Sequence, residues 1–166
     1  ASLSPSSCAS LIPALGRLSN SNPWFRLEQW QSHAVGALSR PDMINELRAV
    51  LADPHAGMGI RSIVIDALEM GAPRPELLPD LAGILARADV SYRERQRALL
   101  ALLRLGDAGR SAVTDAFRRS LDLSVNGLRL RTEIIQRLYR EPFGASDVVA
   151  IVNGALEADG SSITGV

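Results

Sequence analysis

The feature that most restricts this chain is an internal repeat of amphipathic helices. The segments GIRSIVIDALEMG, ending at Gly71, and SYRERQRALLALLRLG, ending at Gly106, close two similar apolar stripes on glycines 35 residues apart. The stripe Leu99, Leu102 and Leu103 returns as Ile135, Leu138 and Tyr139 after a shift of 36 residues. A third register lies in the helices that come first in each unit. LIPAL at Leu11 to Leu15 and LLPDL at Leu77 to Leu81 share one pattern 66 residues apart, with MINEL at Met43 to Leu47 between them. Together these give a unit of 32 to 36 residues. A period of that size means stacked helix pairs, because one pair cannot cover its own apolar face and leans on its neighbours.

The spacing within units is helical throughout. Met43, Ile44, Leu47, Val50 and Leu51 form one stripe, and Ile60, Ile63, Val64, Ala67 and Leu68 the next. Leu77, Leu78, Leu81, Ile84 and Leu85 pair with Ala98, Leu99, Leu102 and Leu103. Val113, Ala116, Phe117 and Leu121 precede Ile134, Ile135 and Leu138, and Val148, Val149, Val152, Ala155 and Leu156 make the last stripe. Upstream, Asn22 and Pro23 read as N-cap and first residue of a helix carrying Leu27, Trp30, Ala34 and Leu38, preceded by Leu11, Ile12 and Leu15. Aromatic residues are only 4% and β-branched residues do not alternate with polar ones, which argues against sheet. The expectation is an all-α fold of about nine helices, with a leader over residues 1–9, the helical domain over 10–159 and a tail or linker over 160–166.

Local signals refine this. Gly71 is expected as a left-handed C-cap, Gly106 as the end of the next second helix, Asp107 as an N-cap, and Ser91 with Glu94 as a capping box. Pro13 and Pro79 are expected inside first helices, bending them. Among the aromatic residues Trp24, Phe25 and Trp30, helical spacing places Trp30 on the stripe and leaves Trp24 less constrained, with burial against the terminal repeat preferred to exposure. The first residue Ala1 and the loop-like DGSSITGV read as the ends of a piece excised from a longer polypeptide.

The repeat now resembles a known one. SYRERQRALLALLRLG, GIRSIVIDALEMG and LLPDLAGILARAD look like the HEAT repeat, with an arginine opening the second helix ahead of an Ala and Leu stripe that ends in Leu-Gly. The likeness covers roughly Ser10 to Asp159. Two units depart from it: one ends LYRE without the glycine, and the first carries tryptophans where small residues are usual. It implies a right-handed α-α superhelix, a HEAT-like solenoid of four and a half hairpins. It also implies a ladder in which a turn aspartate meets an early arginine of the second helix: Asp89 with Arg95, Asp53 with Arg61, and Asp122 with Arg129 or Arg131. We read those pairs as repeat-to-repeat braces in preference to a ligand site. The run IRSIVIDALEMGAPRPELLPDL further resembles the repeats downstream of NACHT-type (STAND) ATPase modules in bacterial signalling proteins, although no nucleotide motif accompanies it.

Composition removes several functions. All 18 basic residues are arginine and are matched by 18 acidic ones, so no net field draws nucleic acid or anionic lipid. Lacking lysine, the chain has no P-loop lysine, Schiff-base lysine or lysine base. Cys8 is alone, which reads as a reducing, cytoplasmic setting. His33 and His55 fall on different elements without ligand partners, so no metal is expected. No Ser sits in a nucleophile elbow, and the GMG at Gly57 to Gly59 reads as an inter-helix turn. No cofactor, catalytic residue or membrane span is expected.

The expected role is protein interaction or scaffolding, as the sensor or regulatory repeats of a larger NACHT-like signalling protein. Its partner would be another protein or another domain of the same polypeptide, held on a concave face by Arg93, Arg97, Arg129, Glu133 and Arg137. The alternative is a HEAT-like nucleic-acid binder resembling alkylpurine glycosylases, with Arg93, Arg95, Arg97 and Arg104 as its patch; the neutral charge weighs against it. HEAT-like bilin lyases also exist, but no residue here argues for that chemistry.

Overall fold

The computed structural model describes residues 5–21, 35–119, 121–122, 124–139 and 141–163. Within them the chain forms eight α-helices: α1 Pro5–Ser21, α2 Ile44–Ala52, α3 Met58–Met70, α4 Leu78–Ala86, α5 Tyr92–Leu103, α6 Gly106–Arg119, α7 Val125–Leu138 and α8 Ala145–Ile163. Short 3-10 turns cover Gly36–Leu38, Pro41–Met43 and Pro75–Leu77. No strand occurs among the described residues; Tyr139 and Phe143 form one isolated bridge. None of the described helices is long and apolar enough to cross a membrane. The fold is all-α. The helix expected from Asn22, with Trp24, Phe25, Trp30 and His33, falls on residues 22–34, outside the described part.

Two units repeat in detail. Arg40-Pro41-Asp42-Met43 and Arg74-Pro75-Glu76-Leu77 each make a 3-10 turn that runs straight into a nine-residue helix, α2 or α4. The fixed φ of proline suits the first position of such a turn, where its missing N–H costs nothing. Met43 and Leu77 are both fully buried, pinning the start of each helix to the core.

Each helix packs mainly against those one and two places ahead of it in the chain: α2 on α3 and α4, α3 on α5, α4 on α5 and α6, α5 on α6 and α7, and α6 on α7. The turn Gly36–Leu38 and α1 lie on α3. That extra cover explains why α3 is buried on nearly every side, Ile65 included, whereas α2 has one inward stripe. One apolar core runs from Ile12 in α1 through all the middle helices to Phe143. Its fully enclosed leucines and isoleucines each contribute about 1.5–3 kcal/mol.

Several local expectations need correction. Pro79 is the second residue of α4, not its interior, so it removes no hydrogen bond and bends nothing; Pro13 does lie inside α1. Gly71 has φ −88°, so it is not a left-handed cap. A side chain there would run into the Gly36 carbonyl oxygen and the Ser39 side chain, so close approach, not φ, requires glycine. Gly106 does take the left-handed conformation, at φ +66°, but it opens α6 and leaves Asp107 inside the first helical turn instead of capping it. Helix α1 begins at Pro5, within the segment read as leader, and α8 runs past residue 160 to Ile163.

The largest difference concerns α8. Val148, Val149, Val152 and Leu156, expected on the inward stripe, are exposed, while Ile151 and Gly154 face inward. Helix α8 is apolar on both sides, so periodicity alone could not choose its buried face.

Candidate functional site

The site is built on the second helix of each unit: α3, α5 and α7. Ser91 starts α5 as its N-cap, accepting a hydrogen bond from the Glu94 N–H at 3.3 Å. Its hydroxyl donates back to Glu94 Oε2 at 2.8 Å, so the capping box closes through the hydroxyl instead of the Ser91 backbone N–H. Ser124 caps α7 in the same way, accepting from the Gly127 N–H at 3.2 Å.

None of the expected turn-aspartate pairs forms; Arg61 and Arg95 meet other carboxylates. Arg95, enclosed to 1% exposure, donates from Nε to the Leu85 carbonyl at 3.0 Å and from a terminal nitrogen to Asp122 Oδ2 at 3.1 Å. Arg61 donates to Glu94 Oε1 at 3.0 Å. Both therefore reach forward to a carboxylate of the following unit. Asp89, six residues before Arg95, is instead held by Arg87 through two bonds of 3.1 and 2.6 Å. The turn Arg87-Ala88-Asp89 is exposed, and a neighbour two residues away closes that fork at little entropic cost. Asp53 accepts from the His55 N–H at 2.8 Å and does not meet Arg61. Arg131 donates to the Leu121 carbonyl at 2.5 Å and lies over the Phe117 ring at 4.8 Å, so it is not the mate of Asp122 either. Arg129 lies over the Tyr92 ring.

Electrostatics follow this geometry. Burial alone would raise the Asp122 carboxyl, but the Ser124 hydroxyl and N–H together with Arg95 outweigh it and hold the group below its ordinary range. The Arg87 fork holds Asp89 below its ordinary value. Asp66 is pushed up because burial outweighs the nearby Arg97.

On the outward flank of these helices, three of the five residues expected on the binding face come together. Arg129, Glu133 and Arg137 follow at steps of four along α7 and so share one stripe. They line a groove of about 480 Å³ with Tyr92 and Gln96 of α5 and Thr132 and Gln136 of α7. Glu133 is its hub: one oxygen accepts from the Tyr92 hydroxyl at 3.0 Å and Gln96 at 2.9 Å, and the other from Arg137 at 2.8 and 3.1 Å. Arg129 covers the Tyr92 ring 4.5 Å from its centre, an arrangement that favours the cation. Burial and the Glu133 acceptor raise the Tyr92 phenol above its ordinary value of 10.0. Arg97 sits one unit back, bridging Asp66 and Glu69 of α3 at 2.9 Å each, and Arg93 is exposed beside it. The five residues thus do not form one pocket: three line the groove between α5 and α7, and Arg97 is tied to α3.

Tyr92 and Gln96 were not singled out from the sequence, and Glu94 only as the capping partner of Ser91, not as the mate of Arg61. A signal for Glu94 existed. The residue just before the helix-opening arginine is Ile60, Glu94 or Leu130 in the three units, so an acid at this apolar register must be paired. No such signal marks Tyr92 or Gln96. Among the described residues no cluster of three metal-ligating side chains occurs, and His55 is exposed in a loop. Comparison with family models, curated proteins and solved structures finds no significant match to this chain.

Proposed function

We propose that this chain is a protein-interaction module: a right-handed, HEAT-like solenoid that holds an extended partner segment along α3, α5 and α7. The observation that supports the reading is the recurrence of side-chain ties from one unit to the next. Ser39 donates to the Ala72 carbonyl, Arg48 to Asp80, Arg61 to Glu94, Arg74 to the Ser39 carbonyl and Arg104 to the Glu69 carbonyl, across separations of 32 to 35 residues. Other ties span 27 to 41 residues, as in Arg95 to Asp122 and Tyr92 to Glu133; recurrent links of this kind, with packing among the described helices mainly to those one or two places ahead, favour a rod that grows by stacking over a closed bundle.

The groove between α5 and α7 is open and of mixed charge, with Arg129, Glu133 and Arg137 in one row. Such a row matches a polypeptide carrying both signs better than a polyphosphate. The alternative of nucleic-acid binding loses support from the same contacts, because Arg61, Arg95 and Arg97 already hold carboxylates. The partner is then another protein or another domain of the same polypeptide. The likeness of the α3 to α4 region to repeats beside NACHT-type ATPases favours a regulatory setting.

Small-angle scattering gives the shape test, since a solenoid yields an elongated distance distribution and a closed bundle a symmetric one. For the role, a photoreactive residue at Gln136 should form an adduct with a protein segment, and Arg137→Glu should abolish it. Retention of duplex DNA alone, with affinity falling steeply in salt, would overturn the reading.

A further inference from the structure

The groove between α5 and α7 contains one cation that the fold itself leaves unpaired. On α7, Glu133 has Arg129 four places before it and Arg137 four places after it. An acid that precedes its base by four residues pairs better than one that follows it, and Glu133 closes on Arg137 at 2.8 and 3.1 Å. Its other oxygen is filled by the Tyr92 hydroxyl and Gln96. Arg129 is thereby left over. Among the described residues its side chain makes no hydrogen bond or ion pair, and its guanidinium lies over the Tyr92 ring, 4.5 Å from the centre.

That contact positions the cation. Tyr92 is anchored through its hydroxyl to Glu133, so its ring is a fixed platform that holds Arg129 while the guanidinium N–H groups stay free. The groove is lined by two arginines and one acid. With Glu133 neutralised by Arg137, the charge left for a partner is that of Arg129. A planar fork of N–H donors fits a carboxylate bidentately, whereas a phosphate dianion would call for a second free cation, and Arg137 is already committed. We infer that Arg129, held over Tyr92, receives a side-chain carboxylate of the partner, so that the segment in this groove carries an aspartate or glutamate at one obligatory position. The inference rests on the interaction reading above and adds the chemistry of its anchor.

The test pans a displayed library of random linear peptides against the full chain, and the enriched peptides should share an acid at one position. For one such peptide, followed by fluorescence anisotropy, replacing the acid by its amide and Arg129→Gln should each weaken binding at least about tenfold, and the two together no more than either alone. Arg129→Glu should instead prefer the peptide with lysine at that position. Tyr92→Leu should weaken the acidic peptide while leaving the amide peptide unchanged, which a merely structural role would not do. Arg129 is exposed, so melting temperatures should hold in its variants. Peptides that lose binding in Arg137→Glu yet share no acid, full binding by Arg129→Gln, additive losses, or tighter binding of a phosphoserine peptide would overturn the inference and leave the interaction reading standing. A library that yields no peptide dependent on the groove would overturn both.

Discussion

Arg95 of α5 and Asp122 of the α6–α7 turn meet at 3.1 Å, joining one hairpin to the next through a guanidinium that is 1% exposed. The nearer Asp89 is taken by Arg87, which leaves Asp122 as the charge that makes burial of Arg95 tolerable. Removing the carboxylate strands the cation; removing both charge and need together does not. Asp122→Ala should therefore cost about 3 kcal/mol in denaturant unfolding, and Arg95→Met clearly less, since methionine fills the slot without a charge. If Arg95→Met proves the more damaging of the two, the pair is a net stabiliser and this ordering is wrong.

Asp122 also sets an acid response. Its folded value lies below the ordinary 3.8, so the unfolded chain takes up a proton first as pH falls. Its contribution is complete above the unfolded value and disappears as pH drops through the folded one. Thermal melts of the native chain from pH 6 down should thus lose stability below about pH 4 more steeply than those of Asp122→Asn. Parallel curves would show that Asp122 is not held in this way.

Tyr92 makes the opposite case. Its phenol is raised by burial and by donating to Glu133, so the neutral form is the one the fold prefers. That preference is present below the ordinary value of 10.0 and lost as pH rises through the folded one. A near-ultraviolet titration, with Tyr92→Phe as the difference reference, should show late ionisation that shifts down in Glu133→Gln. An unchanged titration in Glu133→Gln would remove Glu133 as the hub of the groove.

Three glycines should respond differently to alanine. Gly71→Ala forces a methyl into the Gly36 carbonyl and Ser39, an overpacking that costs about 1–3 kcal/mol. Gly106→Ala meets no neighbour, but at φ +66° it is strained by about 1 kcal/mol. Gly83→Ala, inside α4 with open space around it, should stabilise by about 0.5–1 kcal/mol. Calorimetric melting points in that order would separate close approach, backbone strain and helix propensity; a destabilised Gly83→Ala would contradict the open environment of that position.

Much of the architecture was legible in advance because helical spacing records burial. Leu47, Leu51, Val64, Leu68, Leu81, Leu85, Leu99 and Leu102 were all placed on inward stripes and all are buried. The same rule failed at α8, where both faces are apolar and only the packed neighbour, α7, decides which one is covered.

The chain by itself determined that it would be helical, where the helices pair and how far apart the units recur, since each of these depends on neighbours three, four or about 35 residues away. The resemblance to HEAT repeats, and not spacing alone, suggested Arg61 and Arg95 as braces to Asp53 and Asp89. Only the tertiary structure decided whom they brace, passing over Asp53 and Asp89 for Glu94 and Asp122. Arginine side chains are long enough to reach either the turn behind or the unit ahead. Stacking distance and the competition of Arg87 for Asp89, neither of which is written in spacing, made the choice.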